Sequence, residues 1–208
     1  MFSQVRVLQE IKTLPLERVL TAIRPDICVL GEQSLRRPCA ELDLEREVRD
    51  QGSAFHQKKF SMHRALYEFR KAKGYGRSIA APQIGESRRY LAVNLGQGFF
   101  TMINPKITWK SEETFTMWDD CLSLPDLLVK TRRHHSISFE FIDDFGESHI
   151  WQRCNRNVSE LLQHEMDHLD GIVMTDRMEG PLESGLIFRS AFERDPASFK
   201  QQVDYVIS

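Results

Sequence analysis

Apolar side chains recur at helical spacing in two separate parts of the chain. In the first part these side chains are Phe55, Met62, Leu66 and Phe69. This spacing places them on one face of an α-helix, and Gly74 follows them as a typical helix stop. The pattern therefore predicts one long helix over residues 45–72, with this face in the core.

The second helical pattern lies later in the chain, where the apolar stripe consists of Leu161, Leu162, Met166 and Leu169. Asn157, with Glu160 three residues later, is predicted to cap the start of this helix, and Gly171 is predicted to end it. The stripe predicts that the helix is buried on a rigid part of the fold.

Shorter apolar segments predict strands at residues 90–93, 99–103, 107–109 and 136–142. The last segment alternates regularly and ends at the turn sequence Asp143-Asp144-Phe145-Gly146. Because the strands are grouped between two helices, we predict an α+β fold in which antiparallel or mixed β-sheets surround the second helix.

The two ends of the chain give weaker patterns. Residues 1–26 contain two short amphipathic turns broken at Pro15, which predict a helical extension packed on the domain. A basic organelle-targeting helix is the alternative interpretation of this segment. A helix is also predicted at 198–207, and the sequence suggests no function for it.

Length and composition agree with a soluble enzyme that folds as one domain over residues 1–208. The chain has 41% hydrophobic residues, enough for a sizeable core, and no apolar run of membrane-spanning length. A net charge of -2 gives no overall basic surface for nucleic acid or membrane. One cationic cluster leaves ribosome contact open, although a solvated strand end is favoured: Lys130, Arg132, Arg133, His134 and His135.

The four cysteines, Cys28, Cys39, Cys121 and Cys154, are widely spaced and form no Cys-x-x-Cys pair. A reducing compartment is therefore the simpler interpretation. The first 24 residues contain Glu10 and Glu17 and no apolar core, so a secretory signal is not expected. We expect a cytoplasmic protein, with organelle targeting left open.

His164, Glu165 and His168 are the strongest candidates for catalytic chemistry. Histidines at positions i and i+4 fall on one face of a helix and can bind one metal ion. The carboxylate beside the first histidine can then act as general base and general acid without binding the metal.

The third metal ligand is not fixed by this motif alone. Position 174 is Met, which excludes the extended three-histidine motif of one metalloprotease class. Glu183 would complete a thermolysin-like zinc peptidase site, whereas Cys121 would give a Cys-His-His set with a fourth position for water. On ligand softness and geometry alone, the second set suits zinc.

Three segments together resemble the peptide deformylase family, which has matching motifs in the same order. They are Gly74 to Gly85, containing Ala-Ala-Pro-Gln; Asp119-Asp120-Cys121-Leu122-Ser123; and Gln163 to Gly171. Weaker likeness extends over residues 27–178, which we take as the core of the domain, with an extension at 1–26 and a tail at 179–208. The resemblance implies that the α+β fold is deformylase-like, with the metal-binding helix at its centre.

The resemblance also implies roles for individual residues. It implies Cys121, His164 and His168 as ligands of one divalent metal, Glu165 as the acid–base residue, and Gln83 with the Leu122 backbone N–H as donors to an oxyanion. It implies ferrous iron in the cell, with zinc, nickel or cobalt in purified protein, and nascent peptides with an N-formylmethionine as substrates. Monomer and homodimer both remain open.

Two departures from the family pattern fall in the implied substrate groove, which comprises Gly76, Arg77, Ser78, Asp119 and Asp120. The middle motif has Asp119-Asp120 in place of Glu-Gly, and the first has Arg77-Ser78 in place of an aliphatic residue and glycine. Arg77 and Asp120 are expected to pair across the groove and narrow it, and the resemblance implies that Asp119 pairs with Arg132 or Arg133. The competing interpretation is a catalytically inactive protein that binds peptide N-termini.

Overall fold

The computed structural model describes residues 11–50 and 52–206. Its helices are α1 Leu16–Thr21, α2 Ala54–Lys73, α3 Arg156–Leu169, α4 Leu182–Gly185, α5 Arg189–Arg194 and α6 Pro196–Lys200. Its strands are β1 Ser78–Ala80, β2 Tyr90–Val93, β3 Phe100–Lys110, β4 Thr114–Asp119, β5 Leu127–His134, β6 Ile137–Ile142, β7 Ser148–Trp151 and β8 Leu186–Phe188. Within the described chain, no helix is both long and apolar enough to cross a membrane.

The strands form two antiparallel sheets with α3 against both of them. The five-stranded sheet has the order β1-β2-β3-β6-β7, and the three-stranded sheet has the order β4-β5-β8. Helix α3 contacts β1 of the first sheet and β5 of the second. The predicted α+β fold with sheets around the second helix is confirmed, and β1 forms an edge of the larger sheet.

The predicted helix over residues 45–72 is wrong at its start. The structure has a short π-helix at Leu44–Arg49 and a separate α2 from Ala54. Between them, Asp50 Oδ1 accepts a hydrogen bond from Gly52 N at 2.9 Å, and Ser53 Oγ donates to Glu47 O. This local turn satisfies backbone groups that a continuous helix would have used, so the helix restarts.

The strands predicted at 99–103 and 107–109 are one strand, β3, with an irregularity in its middle. The pairing of β3 with β6 shifts register between Ile103 and Lys106. Asn104 has φ 48° there, and its side-chain amide exchanges two hydrogen bonds with the Leu42 backbone at 2.8 and 2.9 Å. This bulge breaks the alternating pattern without ending the strand.

The ends of the described chain also differ from expectation. Residues 11–14 are not helical, although Leu14 is buried and its N–H donates to Phe99 O at 2.6 Å. Helix α1 begins directly after Pro15 and packs on α2; the apolar residues Val7 and Leu8 lie outside the described residues. The helix predicted at 198–207 is wrong beyond Lys200, where the chain turns and Tyr205 bridges Met117 of β4.

Candidate metal centre and its pocket

Helix α3 carries the two candidate histidines and the candidate base, and all three side chains are buried. Its N-cap is Asn155, whose Oδ1 accepts from Val158 N at 3.1 Å, so the prediction of Asn157 as cap is wrong. Gly171 ends the helix region at φ +76°, and a Cβ there would lie 2.9 Å from the Arg36 backbone. Only glycine fits both requirements, which explains this residue in the motif.

Cys121, His164 and His168 come together as one buried cluster. Their ligand atoms all lie within 4.8 Å of one another, and Cys121 Sγ is 3.2 Å from His168 Nε2. Donors that bind one ion at about 2.0–2.3 Å lie roughly 3.5 Å apart, so this spacing suits a shared metal. Glu183, the alternative third ligand, is exposed on α4 and is not part of this cluster.

The Cys121 sulfur also receives two N–H donors. Ser123 N lies 3.4 Å from Sγ and Gln83 Nε2 lies 3.6 Å from it. Hydrogen bonds of this kind stabilise a thiolate, the form of cysteine that binds metals. The surroundings of Cys121 therefore fit a ligand better than a core cysteine.

Asp119 lies behind His164, away from solvent. Its Oδ1 is 3.0 Å from His164 Nδ1, and its Oδ2 accepts from Arg133 Nη2 at 2.8 Å. Burial alone would raise the pKa of Asp119, but His164 and Arg133 outweigh burial and hold this pKa below its usual range. A carboxylate that is hydrogen-bonded to Nδ1 leaves Nε2 of the same ring available to bind a metal.

The two histidines have opposite charge preferences in the metal-free protein. Burial opposes protonation of both rings, but the neighbouring Asp119 carboxylate raises the pKa of His164 well above its usual value. Burial and His164 together lower the pKa of His168 well below its usual value. His168 is thus held neutral, as a metal ligand must be.

Glu165 is 3% exposed and has two differently placed oxygens. Oε1 accepts a hydrogen bond from Ser78 Oγ at 2.6 Å, whereas Oε2 is buried and has no hydrogen-bond partner among the described residues. Burial raises the pKa of Glu165, and His164 and Ser78 partly offset this increase. One oxygen therefore remains free to exchange a proton with a bound molecule.

Gln83 is oriented by the turn at Ala81–Ile84. Its Oε1 accepts from Ala80 N at 2.8 Å, which points Nε2 toward Ser123 Oγ at 3.1 Å and the Cys121 sulfur. Leu122 follows Cys121 directly and lines the same cavity as Gln83. The two predicted oxyanion donors thus flank the metal-ligand cluster.

A cavity of about 440 Å³ opens onto this cluster. All five predicted groove residues line it: Gly76, Arg77, Ser78, Asp119 and Asp120. The expected pairing of Arg77 with Asp120 is wrong. Arg77 donates to Glu160 and to the Asn157 backbone and side chain on α3, whereas Asp120 Oδ2 accepts from Arg189 Nη2 at 3.0 Å.

The sequence analysis missed Glu160 and Arg189 as parts of the cavity. Glu160 is only 2% exposed and lies four residues before His164, on the same face of α3, which was the signal available in the sequence. Burial raises the pKa of Glu160 to about 7 although Arg77 opposes this shift. Arg189 comes from the tail, lies 3.9 Å from the Tyr75 ring and donates to Pro125 O, and no motif pointed to it.

Both arginines of the cationic cluster at 130–135 form ion pairs with residues of the same domain. Arg133 is buried between Asp119 and Asp167, which gives the expected partner of Asp119, and Arg132 pairs with Glu179 at 2.9 Å. His134 Nδ1 lies 2.6 Å from Ser111 O. These contacts give the cluster a structural explanation and do not support a nucleic-acid site.

Comparisons with known proteins agree with this geometry. The family model described as polypeptide deformylase matches residues 25–183. A peptide deformylase of Synechocystis sp. is 30% identical over 161 residues, covering 74% of this chain and 78% of that protein. One of Fusobacterium nucleatum is 32% identical over 158 residues, covering 76% and 84%.

Solved structures show the same fold. The peptide deformylase of Synechococcus elongatus in complex with actinonin has a TM-score of 0.68 at 24% identity, covering 89% of this chain and 90% of that one. The enzyme of Thermotoga maritima has a TM-score of 0.64 at 26% identity, covering 76% and 99%. The match over most of the core, together with the buried Cys-His-His cluster on α3, means that this chain belongs to the peptide deformylase family.

Proposed function

We propose that this chain removes the N-formyl group from N-formylmethionyl nascent peptides, with Glu165 as the acid–base residue. The observation that carries the proposal is the free Oε2 of Glu165, buried beside three metal-type ligands at the end of an open cavity. A protein that only binds peptide N-termini needs no such carboxylate, so this arrangement favours an enzyme over the inactive alternative.

We propose that Cys121, His164 and His168 hold one divalent iron in the cell, and that zinc, nickel or cobalt can replace it. The buried donors, their spacing and the N–H groups on the sulfur fit such an ion. When bound, the metal would supply Lewis acidity that activates water for attack on the formyl carbonyl. Asp119 orients His164 for this purpose, which is a different role from the substrate contact expected from the sequence.

Glu165 moves the proton in this mechanism. Its free oxygen accepts a proton as the nucleophile forms and returns it to the leaving amine nitrogen, which releases formate and a peptide with a free N-terminus. The raised pKa of Glu165, caused first by burial, brings its proton affinity closer to that needed near neutral pH.

Gln83 Nε2 and the Leu122 backbone N–H stabilise the negative charge that develops on the formyl oxygen. Gln83 cannot turn away easily, because its Oε1 is held by Ala80 N. A fixed donor of this kind typically contributes about 3–4 kcal/mol to the transition state.

The free edge of β1 is the proposed docking site for the peptide backbone. Strand β1 is terminal in its sheet, and its residue Ser78 lines the cavity together with Gly76 and Arg77. An extended peptide can add to such an edge as a further strand, with its N-terminus directed to the metal centre.

Replacement of Glu165 by Gln tests the proposed base. The variant should keep one equivalent of metal and the fold, because Glu165 is not a ligand, while turnover of formyl-Met-Ala-Ser falls by about 100-fold or more. Metal content measured on the same sample controls for damage to the site. Turnover close to that of wild type would exclude Glu165 as the acid–base residue.

A further inference from the structure

Ser78 on β1 contacts Glu165, the candidate base on α3. Its hydroxyl donates to Glu165 Oε1 at 2.6 Å, and the two residues are 2% and 3% exposed. A short O–H to carboxylate bond between buried groups is among the stronger hydrogen bonds in proteins. The other carboxylate oxygen, Oε2, has no hydrogen-bond partner within residues 11–50 and 52–206.

We infer that Ser78 is a positioning residue, which fixes the orientation of the Glu165 carboxylate so that Oε2 is the oxygen that accepts and returns the proton. This inference rests on the proposed function of Glu165. The terminal torsion of a glutamate side chain is broad, so a carboxylate without a partner samples several orientations. A donor on Oε1 removes this freedom and leaves Oε2 available for the proton.

The donor itself is held rigidly. Ser78 pairs with Val93 in the sheet, and the preceding Arg77 carbonyl accepts from Asn94 N at 2.8 Å. The Arg77 side chain ties β1 to α3 through Asn157 and Glu160. Strand and helix are therefore clamped together beside the Ser78–Glu165 contact, which keeps the distance between them short.

Position 78 is one of the places where the chain departs from the family motif, in which glycine is usual. Glycine has no side chain and cannot supply this donor. The contact is thus a property of this chain, and it gives the substitution a catalytic explanation in place of a change in the groove alone.

Two matched pairs of proteins test the inference. Wild type against Ser78→Ala removes the hydroxyl with little change in volume. Ser78→Thr against Ser78→Val compares a hydroxyl with a methyl group in side chains of equal shape, so any packing cost of the larger residue is common to both. In each pair we expect kcat about ten-fold higher with the hydroxyl, because a misplacement of about 1 Å can lower the rate by about 100-fold and a smaller displacement lowers it by less. KM should stay within about two-fold and metal content should be unchanged, as expected for an effect restricted to the chemical step.

A double-mutant cycle and a crystal structure separate positioning from general damage. In a Glu165→Ala background, Ser78→Ala should no longer change kcat, because the group that Ser78 positions is gone. In crystals of metal-loaded Ser78→Ala, the Glu165 carboxylate should occupy more than one orientation.

The inference is overturned if Ser78→Ala keeps the kcat of wild type, if its loss of kcat persists in the Glu165→Ala background, or if the carboxylate keeps one orientation in the crystals. An inactive wild type would instead refute the proposed function, while the crystal structure would still test the positioning.

Discussion

Arg133 Nη2 lies 2.8 Å from Asp119 Oδ2 in a fully buried ion pair directly behind His164. Arg133 also contacts Asp167 on α3 at 2.5 Å, so one guanidinium on β5 neutralises two buried carboxylates. The pair therefore holds the strand that precedes Cys121 against the helix that carries both histidines.

Loss of this guanidinium should be strongly destabilising. In Arg133→Met, the buried Asp119 loses its guanidinium and Asp167 keeps only its pair with Arg177, so we expect the free energy of unfolding to fall by about 3–5 kcal/mol. The adjacent Arg132→Met is the control, because the Arg132 side chain is 48% exposed and its pair with Glu179 should contribute at most about 1 kcal/mol. Urea unfolding of the metal-loaded proteins measures both. Equal losses in the two variants would contradict the structural role of Arg133.

Only one of the four cysteines should be needed for metal. Cys121→Ala, His164→Ala and His168→Ala should each abolish metal retention, whereas Cys28→Ala, Cys39→Ala and Cys154→Ala should retain it. Cys39 is a good control because it is buried, and burial raises its pKa to about 11, which disfavours the thiolate. Metal analysis after gel filtration gives the result. One equivalent of metal in Cys121→Ala would place the third ligand elsewhere.

The residues that the sequence could locate are those set by local spacing. His164, Glu165 and His168 needed only the helical period, and Gly171 only the rule for helix ends. Asn155 and Asn157 are both good N-caps within one turn, so composition could not choose between them.

The contacts that the sequence could not predict are those between distant elements. The partner of Arg77 depends on how β1 packs on α3, and the partner of Asp120 comes from the tail, 69 residues later. The burial of Arg133 in β5 could not be predicted for the same reason. The charge of Arg133 is compensated by residues 14 and 34 positions away in the sequence.

Glu160 should make stability depend on pH. Burial raises its pKa to about 7 from 4.5, against the effect of Arg77, so the folded protein binds this proton more tightly than the unfolded chain. The resulting stability is present below pH 4.5 and is lost as pH rises through about 7. Between pH 5 and pH 8, wild type should lose up to about 3 kcal/mol relative to Glu160→Gln, since one pKa unit corresponds to about 1.4 kcal/mol.

Parallel unfolding curves of wild type and Glu160→Gln across this range isolate that effect, because all other titrating groups are common to both proteins. A difference between the two that stays constant with pH, or that moves in favour of wild type as pH rises, would mean that the ion pair with Arg77 outweighs burial.

The charged wall of the cavity should weaken binding of a methionine side chain. Arg77→Ile alone would leave Glu160 buried without its cation, so we pair Arg77→Met with Glu160→Met, which replaces both charges by apolar groups of similar length. The double variant should have a KM for formyl-Met-Ala-Ser several-fold below that of wild type, because the metal ligands are untouched and the charged wall is replaced by an apolar one. Arg77→Met alone is the control and should lose stability. A higher KM in the double variant would mean that the pair recognises another N-acyl substrate.

Formate release from formyl-Met-Ala-Ser tests the central claim most directly. Protein loaded with ferrous iron under anaerobic conditions should release formate and free Met-Ala-Ser in equal amounts over many turnovers. A metal chelator should stop the reaction, and Glu165→Gln should slow it by about 100-fold or more. Folded, metal-loaded wild type that binds the peptide but releases no more formate than Glu165→Gln would contradict the account.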